Sequence, residues 1–139
     1  MSFLGAKSAL EPSVPAEMIV DLLDGGILRI HFFGHVDGPL VYRGIERVRE
    51  VLGQRTARYF LADTLGITTV DASMRAPGLD LISVLKAYGI TAGFISVSSP
   101  VVRLLASTLG MVSGFRLELL ATTELAMRRA QTALRSVKD

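Results

Sequence analysis

Apolar and polar residues alternate most regularly between Met18 and Val36. There, MIVDLLDGGILRIHFFGHV reads as two strands joined at Asp24-Gly25-Gly26, because a glycine pair permits the positive backbone angles of a tight hairpin. In the second strand Leu28, Ile30, Phe32 and Val36 share one side and are expected to face a core. Arg29, His31, Phe33 and His35 share the other, half-wet side. The period then changes. Leu40, Ile45, Val48 and Leu52 recur at spacings of three to five, which predicts a helix over residues 39–53, with Pro39 in its first turn and Gly53 at its end.

ARYFLAD (57–63) is apolar without alternation, the pattern of a strand covered on both faces. TLGITTVDASMRA (64–76) is expected to be a loop. Leu81, Ile82, Leu85 and Tyr88 predict a helix from Pro77 to Tyr88, closed by Gly89. Pro77 disfavours helical geometry at Ala76, so this helix is expected to begin late and to leave Ser73 in the loop. ITAGFISV (90–97) is a second buried strand, and Ser98-Ser99-Pro100 starts a helix that runs to Val112. FRLELLA (115–121) alternates as a strand, and Thr122-Thr123-Glu124 opens a final helix to Val137. The predicted class is α/β in the order ββαβαβαβα, a mixed five-stranded sheet with four helices. Residues 1–16 read as a flexible arm and residues 17–139 as a single domain.

Composition removes several functions. The chain has no cysteine, which excludes thiol nucleophiles, cysteine metal clusters and disulfides, and fits a reducing cytoplasm. Fifteen basic and thirteen acidic residues leave a formal charge of +2, too balanced to argue for nucleic acid. No apolar run reaches the roughly 18 residues of a membrane span, and the N-terminus is a poor signal peptide. His31 and His35 lie about 13 Å apart along one strand, too far to chelate one metal, so no metal and no cofactor is expected. There is no nucleophile elbow and no phosphate loop, so the chain is read as a binding protein and not an enzyme.

Candidate binding residues cluster after the predicted parallel strands. Asp63, Thr64, Asp71 and Ser73 follow one strand, and Ser98 and Ser99 follow the next, so all are expected to gather at one carboxyl-end rim. Arg75 and Arg103 lie one or two turns away, where they would complete an anionic pocket with the helix N-termini. Capping is the competing reading for Ser99, Asp71 and Ser73. The helix around Val101, Leu104, Leu105, Leu109, Met111 and Val112 is apolar nearly all round, with Arg103, Ser107 and Thr108 among its few outward polar positions. Such a helix needs a second partner surface: another part of its own chain, a protein, a second copy or an apolar ligand.

These residues carry a resemblance. A buried strand ending at Asp63, VDAS (70–73), ITAGFISV, the SSP helix start and FRLELLATTELAMRRA together resemble STAS domains, the fold of bacterial anti-sigma-factor antagonists, and within them the SpoIIAA-like branch. The resemblance covers about 120 residues and rests on short, mostly apolar motifs. It implies a regulatory module that docks a protein partner or its own copy through the helix 100–112 and the loop 63–76. It also implies that Ser73, in Asp71-Ala72-Ser73-Met74, is the phosphoacceptor, although Ala72 and Met74 depart from the family's pattern. The branch is also compared with the lipid-binding CRAL-TRIO fold, so carriage of a small apolar or amphipathic ligand under the same helix is the alternative.

Overall fold

Gly25 and Gly26 hold φ of 89° and 91° in the computed structural model, which describes residues 15–138. They close the hairpin between β1 (Glu17–Leu23) and β2 (Ile27–Val36). Val20 pairs with Ile30, and Asp21 faces Arg29. The Arg29 guanidinium donates to both Asp21 oxygens, at 3.0 and 2.6 Å, which pins the register of the pair. The predicted arm lies almost wholly outside the described residues.

The remaining elements follow as α1 (Gly38–Leu52), β3 (Tyr59–Val70), α2 (Arg75–Ala87), β4 (Ala92–Ser96), α3 (Pro100–Ser113), β5 (Arg116–Leu120) and α4 (Thr123–Lys138). This is the predicted order. The strands lie in sequence across one sheet, with β1 antiparallel to β2 and every later pair parallel. Three crossovers of one hand and one direction place α1, α2 and α3 on the same face. Leu28, Ile30 and Phe32 of β2 pack there with Val48, Ile82, Leu85 and Val102. α4 follows the last strand and takes the opposite face. Ala126 and Ala130 let it approach Ile27, Tyr59, Leu61 and Phe94 closely. The rings of Tyr59 and Phe94 meet edge to face there, with centroids 5.8 Å apart.

Two expectations are overturned. Residues 64–70 are not a loop: β3 continues to Val70 and pairs with the second half of β2, from Phe33↔Gly66 to Val36↔Val70. Register shifts fall between His31 and Phe33 and between Gly34 and His35, and they erase the two-residue period by which a strand is read. The second helix does not begin late. It starts at Arg75, so Ala76 is helical and Pro77 lies in the first turn. A proline there loses no helical hydrogen bond, because first-turn N–H groups have no partner within the helix. Ser73 stays outside the helix, as expected, but the cap residue is Met74, whose side chain caps nothing.

Gly93→Ala is expected to lower the unfolding free energy by about 1–3 kcal/mol, read by urea denaturation. A methyl group there would run into the Phe60 ring in the middle of the sheet. Gly44→Ala meets only the flexible thioether of Met18 and gains about 1 kcal/mol of helix propensity, so it should cost clearly less. Equal losses would contradict this packing.

Candidate functional site

The extension of β3 splits the predicted rim into two places. Asp63 is level with Ser96 at the end of β4, whereas Asp71 follows the end of β3. Seven further residues of strand separate the level of Asp63 from Val70, about 23 Å of chain. Asp71 and Ser73 therefore do not join Asp63 and Thr64 at the end of β4.

Around Asp63 the groups are internal. Its Oδ2 accepts the Thr123 hydroxyl at 3.0 Å and lies 3.2 Å from His31 Nε2. Its Oδ1 accepts the Leu65 N–H at 3.0 Å, a backbone donor at the β3 irregularity. Ser96 Oγ lies 3.2 Å from Thr123 Oγ1, and Thr64 Oγ1 donates to the Ser96 carbonyl at 2.7 Å. Among the described residues no buried side-chain polar atom lacks a partner. The cluster thus ties β2, β3 and β4 to the first turn of α4. Its histidine engages a carboxylate and no hydroxyl, so Ser96 has no base. His31, Ser96 and Thr123 were not singled out together in sequence. The shared face of Arg29, His31 and Phe33, with Asp63 as the last apolar-run residue of the next strand, is the signal that points to the pair.

The second place is the loop before α2. Asp71 and Ser73 are exposed there, as is Arg75 at the start of α2, and Ser73 Oγ reaches Asp71 Oδ2 at 3.5 Å. Neither Asp71 nor Ser73 caps the helix. Met74 turns inward from this loop and is buried. Ser99 does cap α3, accepting the Val102 N–H at 3.4 Å, while Ser98 is exposed. Among the described residues Arg75 and Arg103 make no ion pair, so the anionic pocket expected of them is not assembled.

α3 is the third place. Only Val102 and Ala106 are fully buried. Leu105, Thr108 and Leu109 are half-buried. Val101, Leu104, Met111 and Val112 keep 63, 69, 82 and 48% of their surface exposed. Beneath the helix lies a cavity of about 110 Å³, walled by Met74, Gly78, Leu81, Leu105, Leu109 and the apolar face of the sheet.

No family model matches the chain, and no curated protein matches it. Solved structures do. The anti-sigma factor antagonist SpoIIAA in its unphosphorylated form superposes with a TM-score of 0.60 at 18% identity, covering 82% of this chain and 97% of the other. SpoIIAA of Bacillus in the phosphorylated form gives the same score and identity over 81 and 97%. An uncharacterized protein of Shewanella loihica PV-4 with a SpoIIAA-like fold reaches 0.63 at 8% identity over 86 and 97%. The fold of this chain is therefore the STAS/SpoIIAA-like fold, as the motifs implied.

Thr123→Val should cost about 1–2 kcal/mol of stability, since it leaves Ser96 and Asp63 short of a partner. It should also speed amide exchange in the first turns of α4. Ser73→Ala, in the exposed loop, should change stability by less than about 0.5 kcal/mol. The reverse ranking in denaturant titrations would show that the cluster does not hold α4.

Proposed function

We propose that this chain is a non-catalytic regulatory module of the cytoplasm that docks a protein partner through the outer face of α3, the loop 71–74 and the first turn of α2. The observation that carries the reading is the exposure of Val101, Leu104, Met111 and Val112 along one helix. Burying a large apolar side chain contributes up to about 1.5–3 kcal/mol. Grouped along one helix face, four such side chains are the kind of patch that marks an interaction site. The name of the structural neighbour supports the same class of role: SpoIIAA is an anti-sigma factor antagonist, and it exists in a phosphorylated form. Asp63, Asp71, Ser73, Ser98 and a histidine do not converge, which favours binding over catalysis. No described helix is long and apolar enough to cross a membrane.

Ser73 is the residue through which such docking would be regulated. Its hydroxyl is exposed and held only by a long contact to Asp71. A phosphate there adds about −1.5 to −2 charges next to Asp71 and repels an acidic or apolar partner surface.

Carriage of an apolar ligand under α3 is the second reading, and the cavity favours it. Size decides against it. A volume of about 110 Å³ is below the roughly 150 Å³ that admits benzene, and far below the roughly 300–1,000 Å³ of ordinary ligand pockets. A lipid has no room there unless α2 and α3 part.

In affinity capture from the source cell, the wild-type chain should retain a protein that the L104S/M111S variant loses, while both variants unfold within about 0.5 kcal/mol of each other. Ser73→Asp should weaken the same capture. Equal capture by all three chains, or a bound lipid as the sole species retained, would refute the docking face.

A further inference from the structure

β5 is the last strand of the sheet, and among the described residues nothing pairs with its outer edge. The Leu120 carbonyl accepts the Val97 N–H at 2.9 Å, so the backbone of Leu120 is turned toward β4. Alternation turns Glu118 and Arg116 the same way and directs the N–H and C=O groups of Leu117 and Leu119 outward. Natural edges are commonly blunted by brevity, charged side chains, proline or a bulge, and β5 is short and carries two charges. RLELL has no proline, and its register with β4 is unbroken. Its two charges are of opposite sign, at Arg116 and Glu118.

We propose that a second copy of this chain pairs antiparallel with this edge, β5 to β5, about a twofold axis at Leu117. The charges select that register. Outward residues must face outward residues, so an axis inside the strand falls at Leu117, at Glu118 or at Leu119. At Glu118 two carboxylates would oppose each other. At Leu119 each Glu118 would face a leucine and each Arg116 a threonine. At Leu117 every Arg116 faces the partner's Glu118, twice by symmetry, in the closer type of cross-strand pair. Glu118 is ionised and already held in place. Arg129 donates to it at 2.7 and 2.8 Å, and that hydrogen bond, joined by the charge of Arg116, holds its carboxyl below the usual range. Arg116 itself is exposed and makes no ion pair among the described residues. Leu117 and Leu119 are half-buried and would gain cover. The Phe115 N–H is taken by Ser113, at 3.1 Å. The edge therefore supplies about four intermolecular backbone hydrogen bonds, which makes a weak dimer populated at high concentration. This interface does not depend on the docking role of α3.

Sedimentation equilibrium of the full chain should show a monomer–dimer equilibrium. Arg116→Glu, at an exposed position, should raise the dissociation constant about tenfold or more, since two attractive pairs become repulsive. The chain lacks cysteine, so single cysteines report the register. Cα atoms of a hydrogen-bonded antiparallel pair lie about 5.5 Å apart, within disulfide reach. L117C should therefore oxidise to a linked dimer, and E118C should not. A chain that stays monomeric at millimolar concentration overturns the proposal. So does a dimer indifferent to Arg116→Glu, which would place the contact elsewhere, or one that links through E118C in preference to L117C.

Discussion

A helix buries only the arc that its neighbours cover, and α3 is an end member of its row of helices. Sequential strand order with crossovers of one hand lines α1, α2 and α3 along one face, so α3 comes last, with α2 on one side only and β5 at the sheet edge beneath it. A narrow stripe of Val102 and Ala106 satisfies that position. The sequence supplies apolar residues nearly all the way round. The surplus at Val101, Leu104, Met111 and Val112 follows from topology and composition together, and the functional reading depends on it.

The opposite face solves a different problem. One helix, α4, must cover the centre of the sheet, and alanines at 126 and 130 bring it close to Phe94 and Tyr59. Its first turn then reaches the Asp63 carboxylate through Thr123, while His31 and Leu65 take up the remaining capacity of that carboxylate. Polar groups that look available for chemistry in sequence are consumed in fastening one element. What stays free is the loop beyond the long β3 strand, where Asp71, Ser73 and Arg75 face water and Met74 anchors the backbone to the core beneath α3.

Most of the architecture was legible in the chain. The glycine pair, the faces of β2, the unbroken apolar runs of β3 and β4, and the Ser99-Pro100 start each rest on a local rule that nothing distant overrides. The second half of β3 was not legible, because its two register irregularities remove the alternation that marks a strand. That one misreading displaced the candidate site. With residues 64–70 taken as a loop, Asp63 and Ser73 seem to share a rim; as a strand, they stand at opposite ends of it. The start of α2 was misjudged for a related reason. The restriction before proline is a preference, and the first turn of a helix tolerates it. The composition of α3 called for a second covering surface but left open whether its own chain supplies it, and which of its sides faces water depends on its place at the end of the row.

Site-specific photo-crosslinking in the source cell tests the docking role of α3 most directly. A benzophenone side chain is placed in turn at Leu104, at Met111 and at Gln131, an exposed position of α4 on the other face. Capture of one and the same protein from Leu104 and Met111, and not from Gln131, is the result that follows if α3 docks a partner. Absence of any adduct at the α3 positions, or the same adducts from all three, would contradict it.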